Sequence, residues 1–209
     1  MRAHRRRGMS LVEMLVACGI FGILTLMIAQ IVAPAISMTL EGTVRVQLQE
    51  QGMLAVQALV NGLQSSVPTG VSLVNPNSNT TLAVNPLSGV DANGYPAYQQ
   101  SLQLFWVKTA AGELWQKSYP SPTEVSPFTM LTTTPTTVSA GQLTTIIGTT
   151  NGSEKRLVEQ LQSFNVEQES TTGGVVFAIR MIMIEVVPSS GKTVDVEFSR
   201  KLVLRNNGD

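Results

Sequence analysis

The chain has one cysteine, Cys18, and one histidine, His4. Cys18 stands inside a long apolar run, so no internal disulfide can form and no thiol lies outside that run. His4 lies in a short leader that also holds Arg2, Arg5, Arg6 and Arg7 and no acid. Everything after the leader is therefore without imidazole. That excludes Ser-His-Asp and Cys-His catalysis downstream, and zinc sites of the usual His/Cys type. No recognisable carboxylate pair stands in for them. The expectation is a non-enzymatic protein with no cofactor, no metal site and no small-molecule substrate. Charge is scarce as well. Only 13% of residues carry it, 14 basic against 14 acidic, and none falls between Met14 and Leu40. Such a balance gives no basic stripe of the kind nucleic acid needs; Lys192, Arg200, Lys201 and Arg205 are the only cations that could gather on one edge.

What the first forty residues do contain is Leu, Ile, Val, Met and Ala in quantity. About 20 apolar residues cross a bilayer as a helix, so Met14 to roughly Pro34 is long enough. Arginines precede the run and Glu41 follows it, which places the N-terminus in the cytoplasm and the remainder outside. A secretory signal peptide is a poor account, because the run is too long and Glu13 sits at its start. A plain signal anchor explains the span and the arginines but leaves Glu13 without a purpose. A carboxylate costs about 2.5–3.5 kcal/mol at the bilayer centre, less near the interface, and such groups usually have a partner.

The run Arg7-Gly8-Met9-Ser10-Leu11-Val12-Glu13-Met14-Leu15-Val16-Ala17 resembles the class III signal of type IV pilins and type II secretion pseudopilins. The resemblance implies that a membrane prepilin peptidase cuts after Gly8 and methylates the new N-terminus at Met9. It also implies a filament-assembly role for Glu13, which takes the family's fifth mature position and would pair with an N-terminal amine. The cut would remove His4 and four arginines, leaving 10 Lys and Arg against 14 acids, near −4. Two departures stand out. The family most often has Phe where Met9 stands, and major pilins often carry a helix-bending proline at the position of Gln30, whereas here it is Pro34. Proline removes a backbone hydrogen bond, so a bend is expected at Pro34. Gly19 and Gly22 are further weak points. Cys18 and Gly22 have the small-xxx-small spacing that lets helices approach, though ordinary membrane composition accounts for them equally well.

Beyond the apolar run, Glu41 to Gln64 continues as helix. Val56, Leu59, Val60 and Leu63 form a one-sided stripe expected to face a sheet. Gly52 and Gly62 weaken this helix, and Pro68-Thr69-Gly70 ends it. Val71–Val74 and Thr81–Val84 are short strand candidates. Asp91-Ala92-Asn93-Gly94 reads as a tight turn, since Leu102 stands where a calcium loop needs its bidentate acid. Ser101–Lys108 and Glu113–Tyr119 form a hairpin around Ala110-Ala111-Gly112, with Trp106 and Trp115 expected to anchor the sheet against the helix. The Thr-, Ser- and Pro-rich stretch 120–153 is expected to be mostly loop, an exposed recognition surface or, in preference, a tolerated insertion, with a strand at Leu143–Ile147. Leu157–Gln168 fits helix or strand. Val175–Val187 and Thr193–Leu204 form an antiparallel hairpin across Pro188-Ser189-Ser190-Gly191. The ending Lys201-Leu202-Val203-Leu204-Arg205-Asn206-Asn207 is similar to the tails of larger minor pilins of the PilW type and pseudopilins of the J type.

The expected fold is α+β, a long N-terminal helix packed on an antiparallel sheet. Its expected parts are a cleaved leader (1–8), a membrane or filament-core helix (9–37), the extramembrane half of the helix (38–66) and a sheet domain (67–209). The function implied is that of a minor pilin or pseudopilin that initiates, caps or joins a pilus or secretion pseudopilus. Its implied partners are the prepilin peptidase, other pilin or pseudopilin subunits and an inner-membrane assembly platform. The alternative is a pilus-tip adhesin or DNA-uptake subunit.

Overall fold

The structure, a computed structural model, describes residues 10–75, 79–121, 124–126, 128–149, 153–171, 174–188 and 190–204. Its dominant element is helix α1, Leu11–Gln64, 54 residues and about 80 Å long. The helix passes through Pro34 without interruption. Proline has no amide hydrogen, so the carbonyl of Gln30 lacks its i+4 donor there. The C-terminal end is set by Pro68, since the residue before a proline is driven out of the helical region: Val67 is extended at φ −100 and ψ 159.

Ten strands follow: β1 (Val71–Val74), β2 (Thr81–Val84), β3 (Leu87–Val90), β4 (Pro96–Tyr98), β5 (Leu102–Lys108), β6 (Glu113–Tyr119), β7 (Lys155–Val158), β8 (Leu161–Thr171), β9 (Gly174–Val186) and β10 (Thr193–Leu204). A second helix, α2 (Ala140–Gly148), lies between β6 and β7. The strands form a five-stranded sheet in the order β1-β2-β5-β6-β7, a three-stranded sheet β10-β9-β8 and the small hairpin β3-β4. All pairings are antiparallel.

Both larger sheets pack on one face of α1. The helix buries Leu48, Gly52, Ala55, Leu59, Gly62 and Leu63, a stripe with alternating steps of three and four residues. Facing it are Leu82, Val84, Phe105 and Leu114 of the five-stranded sheet and Phe164, Val166, Phe177, Ile179, Met181 and Met183 of the three-stranded one. Val56 and Val60 lie at the rim of this core. The two glycines, expected only to weaken the helix, are instead contact points. A methyl group on Gly52 would overlap the Phe198 ring, and one on Gly62 would lie 3.3 Å from Phe105 Cε2.

A second core corrects two expectations. Strand side chains alternate faces, so Leu102, Leu104 and Trp106 turn away from α1 when Phe105 turns toward it. Trp106 lies in a separate cluster with Leu102, Leu104, Tyr119, Met130, Val138, Leu143 and Ile146, and Trp115 packs against its rim. The tryptophans thus anchor the outer face of the sheet, not its contact with α1. What covers that face is the stretch expected to be loop or insertion. Leu143–Ile147 is helical rather than a strand. The Ser139 hydroxyl caps α2 by accepting the amide of Gln142 at 3.4 Å, and the Gln142 side chain accepts the amide of Ser139 at 2.9 Å. This Ser-x-x-Gln box starts a helix whose Leu143 and Ile146 point inward. Lys117 crosses the same face fully buried. Its ammonium donates to Glu124 Oε1 at 2.7 Å and to the Thr149 carbonyl at 3.1 Å, tying both ends of the covering segment to β6. Leu157–Gln168 resolves as strand on both sides of a turn at Gln160, which takes φ 61.

Candidate functional site

The candidate site is the N-terminal half of α1. Its first turn is closed by a capping box, in which the Ser10 hydroxyl accepts the Glu13 amide at 3.2 Å and Glu13 Oε2 accepts the Ser10 amide at 2.9 Å. The arrangement satisfies two amides that a helix start leaves without partners. It also holds the carboxylate at the positive end of the helix dipole, where negative charge is favoured. This partner differs from the amine implied by the family resemblance, and the Ser10-x-x-Glu13 spacing is its signal in the sequence. Gly8, Met9 and the other leader residues lie outside the described residues.

Beyond that turn the helix is a bare apolar rod. Its most apolar 18-residue window has a mean hydropathy of 2.4, and none of it is buried. Ile20, Phe21, Ile23, Leu24, Met27, Ile28 and Ile31 all point to the surroundings, with Phe21 73% exposed. The polar hydroxyls in this half do not interrupt it, because Thr25 Oγ1 donates to the Phe21 carbonyl at 2.8 Å and Thr39 Oγ1 to that of Ala35 at 2.9 Å. Each hides its proton donor inside the helix groove. Pro34 and Cys18 lie exposed on this rod. A helix with so apolar a stretch left unburied among the described residues is suited to an apolar environment, a bilayer or a bundle of similar helices.

Among the described residues of the folded domain, a polar network sits at the β5–β6–β7 end. Glu113 accepts Arg156 Nη1 at 2.9 Å and Trp115 Nε1 at 2.9 Å, and Lys108 stacks 3.7 Å from the centre of the Trp115 ring. The hydrogen bond from Arg156, then that from Trp115, holds the Glu113 carboxyl below its ordinary range. These groups brace a strand pair. Among the described residues no cluster of three or more His, Cys, Asp or Glu is placed to hold a metal ion. Asp91 closes the expected tight turn, its Oδ1 accepting the amides of Asn93 at 2.9 Å and Tyr95 at 2.8 Å. The cations proposed to share an edge do not make a stripe. Arg200 and Lys201 are successive strand residues and face opposite ways, Lys192 is paired with Glu41, and Arg205 lies outside the described residues.

No curated protein and no solved structure shows a significant match to the chain. Residues 3–29 match the family model described as the prokaryotic N-terminal methylation motif. That match covers Gly8, Met9, Glu13 and much of the apolar rod; it does not reach the C-terminal third, on which the likeness to PilW-type and J-type subunits rests. The exposed rod, its capped start and the matched motif coincide, and the chain carries the class III signal of type IV pilins on the first helix of an α+β fold.

Proposed function

We propose that the protein is a structural filament subunit, a minor pilin or pseudopilin, that takes part in starting, capping or assembling a pilus or secretion pseudopilus. The observation that carries this reading is the coincidence of the N-terminal methylation motif, residues 3–29, with a helix whose apolar half is wholly unburied. The prepilin peptidase removes residues 1–8 and methylates Met9. The rod then anchors the subunit in the inner membrane with its folded domain outside. During assembly the rod leaves lipid for a bundle of like helices. Glu13 exchanges part of its capping role for a neighbour's N-terminal amine, which fixes register and keeps either charge from standing bare in a dry core. Pro34, which deprives Gln30 of its helical donor, is where the rod bends or loosens to fit that bundle.

The test is a Glu13→Ala chain expressed with its own assembly machinery. It should be cut and methylated normally yet enter filaments far less than the unaltered chain, as measured by immunoblotting of sheared filaments. Normal incorporation would refute the pairing role.

A further inference from the structure

The β9–β10 turn lies at the end of the domain nearest the apolar rod. Lys192 Nζ is 3.5 Å from Glu41 Oε2, directly across from α1. Farther along β10, Phe198 lies on Gly52, so the strand climbs the helix away from the rod as its numbering rises. The Val187 amide donates to the Lys192 carbonyl at 2.8 Å and the Gly191 amide to the Val187 carbonyl at 2.9 Å. Gly191 takes φ +66, a conformation that favours glycine. Val187 is fully buried in the core that also contains Leu48, which fixes the turn to the helix. Pro188, Ser190, Gly191 and Lys192 are exposed.

Height along the helix says what these exposed residues meet. From Glu13 to Glu41 the helix rises about 42 Å at about 1.5 Å per residue, or about 39 Å along the normal at a common tilt of about 20°. A bilayer with its headgroup layers is about 40–45 Å thick. With Glu13 in the inner headgroup layer, where its charge is tolerated, Glu41 falls in the outer one. Lys192 is held at the same height by its ion pair.

We propose that the Val187–Lys192 turn rests on the outer phospholipid headgroups, with the Lys192 ammonium shared between Glu41 and lipid phosphate. The proposal rests on α1 being a membrane span. The charges next to the turn along the strands are Glu185 and Asp195, and Glu41 is followed one helical turn on by Arg45, a mixed set, so the contact is not a polybasic attraction. It is a local one: a lysine with three donors, only one of them needed by Glu41, placed at phosphate height. Such a foot would hold the folded domain at one tilt to the membrane until the subunit is drawn out of it.

The full chain, reconstituted in vesicles of phosphatidylethanolamine and phosphatidylglycerol, tests this by fluorescence quenching from spin-labelled lipids. Three single-cysteine chains carry the fluorophore: the natural Cys18, Ser190→Cys with Cys18→Ser, and Asn61→Cys with Cys18→Ser. Asn61 is exposed and about 30 Å farther up the helix than Glu41. The expected result is quenching of Cys18 by acyl-chain labels and of residue 190, but not 61, by headgroup labels. Adding Lys192→Ala to the Ser190→Cys chain should then remove most of the quenching at 190. Quenching at Cys18 with no more at 190 than at 61 would overturn the foot and leave the span intact. Absence of acyl-chain quenching at Cys18 would overturn the span and the foot with it. Full quenching at 190 despite Lys192→Ala would overturn the role given to Lys192.

Discussion

Of the glycines of α1, Gly52 is the one most closely covered by the sheet, because a methyl there would overlap the Phe198 ring. Alanine is the better helix former by about 1 kcal/mol, but overpacking costs about 1–3 kcal/mol. Gly52→Ala should therefore lower stability slightly in the natural chain. With Phe198→Ala already present it should raise stability by about 1 kcal/mol. Urea denaturation of the detergent-solubilised chain, followed by tryptophan fluorescence, would show the change of sign. Lys117 is the opposite kind of residue, a cation buried on an apolar face and held by Glu124. Lys117→Met would remove the buried ammonium that donates to Glu124 and to the Thr149 carbonyl and should cost about 3–5 kcal/mol, less in a Glu124→Gln background than in the natural chain; an equal cost in both would contradict the pairing. Glu113 makes a pH prediction. Its folded carboxyl is held below the ordinary range by Arg156 and then Trp115. The stability it lends is present above the unfolded carboxylate value and is lost as pH falls through the folded one. The difference in denaturation midpoint between the natural chain and Glu113→Gln should thus be present at neutral pH and shrink as pH falls below the ordinary carboxylate range. Residues of this kind are the least legible in sequence. Gly52 resembles any helical glycine and Lys117 any surface lysine, until long-range pairing decides what faces them. Glu13 was legible as an anomaly, and its cap by Ser10 was legible by spacing.

At the scale of elements, strongly periodic segments showed themselves and those defined by tertiary cover did not. The strand pairs β5–β6 and β9–β10 follow from alternation and turn residues, and their registers run unbroken from Leu102↔Tyr119 to Lys108↔Glu113 and from Thr193↔Val186 to Leu204↔Val175. Alternation cannot say which of two buried faces meets the helix, and so the tryptophans were expected on the wrong side. The low-charge segment before β7 concealed α2, because a short helix among threonines carries little apolar signal; only the Ser139-x-x-Gln142 box and the Leu143/Ile146 spacing announce it. If α2 is a structural cover, Leu143→Ala should cost about 2–5 kcal/mol, and Ser139→Ala about 1 kcal/mol. An exposed insertion would tolerate both. The same denaturation experiment separates these outcomes, and the fluorescence of Trp106, buried beneath α2, should respond to Leu143→Ala directly.

At the scale of the molecule, α1 has two halves with different surroundings. The distal half is core to both sheets, and the apolar window of the proximal half is unburied among the described residues. This division was legible because it is written in charge, absent from Met14 to Leu40 and resumed at Glu41. The proposed function requires that the proximal half reach its apolar environment as a prepilin-type substrate. Intact-mass spectrometry of the chain, purified from cells with and without a prepilin peptidase, tests this. With the peptidase the chain should begin at Met9 and be heavier by one methyl group; without it the leader should remain attached. A full-length, unmethylated chain in the presence of the peptidase would contradict it.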